Sequence, residues 1–287
     1  MMGAARKARA AFPEILTFLL FLVFMVPFAM VVLNAAKTSA EIVKNPIGWP
    51  ADWAKLFANI GTIVTSPNVR YVPSFVSSLV ITSVSLLFIA VSASMAGWVL
   101  VRAKTALSTV IFMTFVAAMV IPFQVVMFPL VSWFRILSDL TGFRLLQSTG
   151  GMVLAYMGFG SSMSIFLFHG FIKGIPLELE EAAKIDGCSK AATFFRIVLP
   201  ILKPIFVTVL ILNGIWLWND YLLPLLLLGM GGPVQTLPLA VANFVGSYVK
   251  KWDLILTATL MAMLPVIVLY LFAQKQIIQG ITEGSIK

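Results

Sequence analysis

The sequence predicts an all-α membrane protein of six transmembrane helices, and three observations carry that expectation. Of 287 residues 60% are hydrophobic and only 11% are charged, with a mean hydropathy of +1.02, whereas a soluble domain carries about a quarter charged residues. The apolar residues come in runs long enough to cross about 30 Å of hydrocarbon. The Lys and Arg residues behind the net charge of +9 stand in short clusters between those runs, which orients helices in a membrane and makes a poor nucleic-acid footprint. The single cysteine, Cys188, excludes an intrachain disulfide. The single histidine, His169, lies inside an apolar run and excludes clustered His ligands. The spans pair no carboxylates and cluster no metal ligands, so neither catalysis nor a bound metal is expected of this chain.

The first span, about Ile15 to Leu33, follows Arg6, Lys7 and Arg9 and exceeds the roughly 7–15 apolar residues of a signal peptide. From Lys37 a polar stretch with Pro46, Pro50, Pro67 and Pro73 reads as an extramembrane loop, about 36–73. The second span, about Ser74 to Val101, carries small residues four apart between Ser92 and Gly97, which lets a neighbouring helix approach closely. The third, about Ser108 to Trp133, contains Pro122, Gln124 and Pro129, breaks that survive in lipid only where protein or a watery cavity satisfies the freed carbonyls. The fourth, about Gly151 to Ile172, holds Gly158, Gly160 and three serines and reads as an interface helix. A fifth span is expected from Ile205 to Leu222, then a loop over 223–253 with Gly231, Gly232 and Pro233, then a sixth span from Leu254 to Phe272. Pro265 is expected to kink the sixth.

Orientation follows from charge. Placing the N-terminus in the cytoplasm puts Arg6, Lys7, Arg9, Arg102, Lys104, Lys173, Lys184, Lys190, Arg196, Lys203, Lys275 and Lys287 inside, twelve of the 20 basic residues. The other eight spread over longer outer loops, so both termini are expected in the cytoplasm. The resulting organisation is a cytoplasmic segment 1–14, one transmembrane domain 15–275 with a cytoplasmic loop at 173–203, and a cytoplasmic tail 276–287.

That inner loop is the chain's charged island, with five basic and four acidic residues between Lys173 and Lys203. Within it Pro176 can open a helix, Glu178, Glu180 and Glu181 suit the positive end of its dipole, and Gly187 can adopt the left-handed conformation that stops it. A helix of about ten residues is some 15 Å long, too short to cross lipid. Contact with a partner surface is the expected use, an ordinary solvated loop helix the alternative.

The pattern Glu181-Ala182-Ala183, three residues, Gly187, nine residues, then Ile197, Val198, Leu199 and Pro200 resembles the cytoplasmic signature of ABC importer membrane subunits. Further stretches are similar to the maltose-type sugar permease subunit: Ile121 to Gln124, Ile175-Pro176, Ile185-Asp186-Gly187, Trp218 to Pro224, and Gln274 to Gly284. Cys188 departs from the alanine common in that family. The resemblance implies the type I ABC importer permease fold in the bacterial plasma (inner) membrane. It also implies a second permease subunit, a cytoplasmic ATPase dimer and an extracytoplasmic solute-binding protein. The substrate would be a sugar, with oligosaccharide the leading class. Glu181 would be the polar contact to the ATPase, Ala182 and Ala183 the close-packing surface, Asp186 and Gly187 the turn, and Ile197, Leu199 and Pro200 the end of the motif. No Gly-Lys dipeptide and hence no usual phosphate cradle occurs, so ATP and Mg are expected on the partner. Gly231, Gly232 and Pro233 would face the binding protein, unless they are a plain connector. The tail from Gln279 would reach the ATPase interface, unless it is a frayed terminus.

Asn213, Trp216 and Asp220 fall at i, i+3 and i+7 of the fifth span, on one helix face. An amide for hydroxyls and an aromatic for a sugar ring make them candidates for the translocation pathway, with helix–helix contacts explaining Asn213 equally well. The rival reading of the whole chain is an ion-gradient-driven secondary transporter, which calls for buried ionisable residues near mid-span and inverted repeats.

Overall fold

A computed structural model of the chain describes residues 2–67, 70–247 and 251–285. The regular elements among them are helices: α1 (Met2–Ala35), α2 (Ser39–Lys44), α3 (Ala54–Thr65), α4 (Tyr71–Ala103), α5 (Ala106–Ala118), α6 (Phe123–Thr141), α7 (Thr149–Ile172), α8 (Glu178–Ile185), α9 (Lys190–Thr193), α10 (Leu199–Ile201), α11 (Lys203–Asn219), α12 (Leu222–Leu228), α13 (Leu237–Ser247) and α14 (Trp252–Ser285). A π-helical turn, Phe194–Val198, joins α9 to α10. Five of these helices are long and apolar enough to cross a membrane, and a sixth is reached when the pair Lys190–Ile201 and Lys203–Asn219, bent by 76°, is counted as one broken span.

Three expectations need correcting in detail. The third span is two helices, because Pro122 caps α6 in an extended conformation and pushes the residue before it out of the helical region. At about 1.5 Å per residue α5 reaches only some 20 Å, so α6 is the membrane-length member. The fifth span ends at Asn219, with Asp220 extended beyond it; the Asp220 carboxylate accepts from the Leu222 N–H at 3.1 Å, a local bond that competes with helix continuation. The last helix runs through Pro265 to Ser285, well past Phe272. The expected tail is therefore helical up to Ser285, while Ile286 and Lys287 lie outside the described residues.

The chain's contacts divide it into two units, residues 1–71 with 241–265, and residues 72–240 with 266–287. In the first, the segment expected as a loop at 36–73 holds α2 and α3. Thr38 opens α2 with a capping box, donating its N–H to Glu41 Oε2 at 2.7 Å while its hydroxyl accepts from the Glu41 N–H at 3.3 Å. Hydrogen bonds from Thr38 and then Lys55 hold the Glu41 carboxyl down at about 2. A depressed value means that its contribution is present above the ordinary carboxylate range and lost only as pH falls through about 2. Carboxyl-carbon NMR of Glu41 is expected to titrate there, and a midpoint of about 4.3 would contradict the box.

Lys37, buried at the end of α1, donates to Asn34 Oδ1 at 2.9 Å and to the carbonyls of Asn45 and Pro46 at 3.0 and 3.3 Å. An ammonium there also suits the negative end of the α1 dipole. Lys37→Met is expected to cost about 2 kcal/mol by orphaning these acceptors, read as faster proteolysis between Asn45 and Trp53. The α1 end is further stitched to α14 by Thr257 Oγ1 donating to Ala35 O at 3.1 Å, and α2 by Ser39 Oγ donating to Asp253 at 2.7 Å.

The second unit is built on α4, α7 and α11. One apolar cluster joins Ile81, Ile89, Met152, Tyr156, Leu217 and Leu227, and another joins Ala90, Ala93, Ile165, Phe168, Phe194, Val198 and Val209. The small-residue face expected on α4 lies against α7: a Cβ on Gly97 would sit 3.0 Å from Phe168 Cβ and 3.2 Å from the His169 nitrogen. His169 is buried and stacks on Phe112 with centroids 3.6 Å apart, a packing role. The region expected as a loop from 223 folds into α12 and α13, with Leu223, Leu227, Leu228, Leu237 and Leu239 buried. In this unit lie both parts of the candidate site.

Candidate functional site

The first part is α8 and its seat. Three acidic residues, Glu178, Glu180 and Glu181, occupy its first turn, where they favour the helix dipole. Its other end closes with the double hydrogen bond of a glycine stop: Cys188 N–H to Ala183 O at 2.9 Å and Gly187 N–H to Lys184 O at 3.1 Å, with Gly187 at φ +83°. At eight residues the helix spans about 12 Å.

Its two edges differ sharply. Ala183 is buried against the chain itself, whereas Glu181, Ala182, Asp186 and Gly187 are exposed. Ile185 is 86% exposed, an aliphatic side chain left nearly bare by the described residues. Further along the motif, Ile197 and Leu199 are half-buried and Pro200 exposed. The π turn that carries Ile197 places the Leu199 N–H on Phe194 O.

The buried edge is held by Glu180 and Arg102, which enter the sequence analysis only as charges, and by Trp98, which does not enter it. Glu180 Oε1 accepts from Arg102 Nε at 2.9 Å, and Oε2 accepts from Trp98 Nε1 at 2.9 Å. Arg102 Nη2 also donates to Ile175 O at 3.0 Å, and the Trp98 ring lies 5.4 Å from that of Phe194. Trp98 and Arg102 are four apart on α4, hence on one face. The side chains of Arg102 and Glu180 are only 18% and 10% exposed, so removing one partner would cost about 3 kcal/mol. The signal available in the sequence was an indole and a guanidinium one turn apart at a span's basic end, opposite three glutamates.

The second part is a cavity of about 680 Å³ lined by Phe123, Phe134, Gly158, Ser162, Asn213 and Trp216 among others. Asn213 is 4% exposed and spends its amide hydrogens on Ser164 Oγ at 3.0 Å and Val209 O at 2.9 Å, so it ties α11 to α7 while its side chain borders the cavity. Trp216 is 42% exposed and meets Tyr156 edge-on at 5.7 Å. Asp220 is absent from the lining. It accepts from Tyr156 Oη at 3.2 Å one residue past the helix end, on the same tyrosine whose ring Trp216 meets. A Cβ on Gly160 would approach Ile89 Cδ1 to 2.6 Å and Asn213 Oδ1 to 2.9 Å, so α4, α7 and α11 meet at the cavity wall. Gly231 and Pro233 are exposed in the turn between α12 and α13, with Gly232 buried between them and Gly231 at φ +75°.

Comparison with known proteins adds four findings. A family model described as "Binding-protein-dependent transport system inner membrane component" matches residues 88–283. The chain is similar to the probable starch degradation products transport system permease protein AmyC of Thermoanaerobacterium thermosulfurigenes, at 39% identity over 276 residues that cover 95% of this chain and 96% of the relative. It is similar to the melibiose/raffinose/stachyose import permease protein MelC of Bacillus subtilis (strain 168) at 33% identity, covering 98% of this chain and 99% of the relative. Among solved structures, a chain of a bacterial ABC transporter involved in the import of the acidic polysaccharide alginate superposes with a TM-score of 0.76 at 17% identity, over 94% of this chain and 96% of that one. At that identity the likeness shows a shared fold.

Proposed function

We infer the following role for this chain, which belongs to the family of binding-protein-dependent transport system inner membrane components: it is the permease subunit of an ATP-driven importer of a sugar, an oligosaccharide foremost. The substrate class is supported by relatives whose names refer to starch degradation products and to melibiose, raffinose and stachyose. The observation that carries the mechanism is the two-edged α8. A helix of about 12 Å that clamps one edge to its own chain and leaves Glu181, Ala182, Ile185 and Asp186 exposed on the other suits docking in a groove of a separate ATPase dimer. ATP and Mg belong to that partner. A second permease subunit completes a heterodimeric pathway, into which Trp216 would present an aromatic face, with Asn213 at its wall holding α11 to α7. Both termini lie in the cytoplasm. On the outer face the Gly231-Gly232-Pro233 turn meets the solute-binding protein.

The test is reconstitution of the purified complex in proteoliposomes with its binding protein. Uptake of radiolabelled raffinose or maltotriose is expected to require ATP on the ATPase side and all the subunits. Uptake by the purified chain alone, driven by an ion gradient without nucleotide, would establish the rival transporter reading.

A further inference from the structure

We infer that the Trp98–Arg102–Glu180 clamp is the element that passes movement of α8 to α4, so that α8 and the Ala103 end of α4 travel as one body. This rests on the reading of α8 as the ATPase contact. Backbone continuity alone is a poor transmitter here, because α8 lies between Gly174 and Gly187, residues with the widest conformational freedom. The clamp bypasses both. It occupies both oxygens of Glu180 and two guanidinium nitrogens of Arg102, three hydrogen bonds of 2.9–3.0 Å, and it ties α8, the Ile175 carbonyl and α4 together.

From there the path is continuous. The helix α4 is unbroken over 33 residues, about 50 Å at 1.5 Å per residue. Two and a half turns along it from Trp98, Ile89 lies where a Cβ on Gly160 would come within 2.6 Å of its Cδ1. Gly160 lines the cavity that Asn213 and Trp216 share. A shift of α8 carried by the clamp therefore repacks the cavity wall through α4, in a well-packed region that responds by discrete rearrangement. Arg102 and Glu180 are positioning residues in this account; neither touches substrate.

The experiment uses the complete complex in proteoliposomes and reads the sugar carried per ATP hydrolysed, a ratio that a merely structural role would leave unchanged in assembled complexes. Arg102→Met is expected to lower that ratio about tenfold, the size of a typical coupling free energy, with Arg102→Lys within about threefold of wild type. Glu180→Gln keeps an acceptor for Trp98, removes the ion pair, and carries the test if Arg102→Met fails to assemble. If both variants keep the wild-type ratio while Glu181→Lys loses it, the clamp is not the transmitter although α8 is the contact. If Glu181→Lys also keeps the ratio, the ATPase-contact reading fails, and the clamp inference with it.

Discussion

Glu181→Lys is expected to leave the chain folded and inserted while lowering sugar uptake by roughly tenfold or more, the equivalent of about 1.4 kcal/mol lost at one contact. The stability side of the expectation comes from exposure. Glu181 is solvent-facing and its side chain makes no hydrogen bond among the described residues, so replacing it touches no packing. The reversed charge at the first turn of α8 opposes the helix dipole, worth about 0.3–1 kcal/mol. The functional side comes from docking: a contact built for a carboxylate meets a like charge instead of its complement, which costs encounter and register together. Membrane-fraction immunodetection reads insertion, and uptake by the same cells reads function. Wild-type uptake in the variant would remove Glu181 from the contact.

Gly151→Ala is expected to destabilise the chain by about 3 kcal/mol, at the upper end of the cost of overpacking. A Cβ at this position would sit 1.8 Å from Leu145 O and 2.7 Å from Leu145 C, and backbone cannot rotate away as a side chain can. The Leu145 segment is also fixed on every side. Its N–H donates to Ser138 Oγ at 3.0 Å, its carbonyl accepts from Ser148 Oγ at 3.0 Å, and two residues on, the Gln147 N–H donates to Leu227 O of α12 at 2.8 Å. Ser148 in turn caps α7 by accepting from the Gly151 N–H at 3.1 Å, so a shift to relieve the clash would cost that cap as well. Gly150, with open space where its Cβ would be, is the control. Gly150→Ala is expected to be neutral or stabilising by about 0.5–1 kcal/mol. Denaturant unfolding of the two variants in detergent separates them, and equal stabilities would contradict the geometry.

The spans were legible because the bilayer enforces them. Runs such as Ser74 to Val101 and Gly151 to Ile172 have few other ways to satisfy their backbones, and α4 and α7 match them to within a few residues. The stop of α8 was legible for a similarly local reason, since Gly187 at φ +83° is a conformation glycine adopts without penalty. The family was legible through the resemblance that the pattern from Glu181 to Pro200 carries, a constraint that composition alone cannot mimic.

What escaped the sequence reading depends on partners far along the chain. Pro122 announced a break, but whether it kinked one span or separated two helices was decided by its role as the α6 cap. The helices α12 and α13 looked like loop because Gly231, Gly232 and Pro233 dominate the pattern, while the burial of Leu227, Leu228 and Leu237 is a tertiary fact. Asp220 falls one residue past the end of α11, and its bond to Tyr156, 64 residues away, is not visible in the i, i+3, i+7 spacing. Glu180 is separated from Arg102 by 78 residues. Nothing local distinguishes it from Glu178 or Glu181, although the fold places it on the inner edge and leaves Glu181 on the outer.

The account's central claim is that the exposed edge of α8 is the surface gripped by the ATPase. A photo-crosslinking amino acid at Ile185, 86% exposed, in the complete complex tests it most directly, with Trp49, 76% exposed in the other unit, as the comparison site. The expected result is a crosslink from position 185 to the ATPase subunit whose yield changes when ATP is bound, and none from position 49. A crosslink from position 185 only to lipid or to the second permease subunit, with the ATPase present and active, would contradict it.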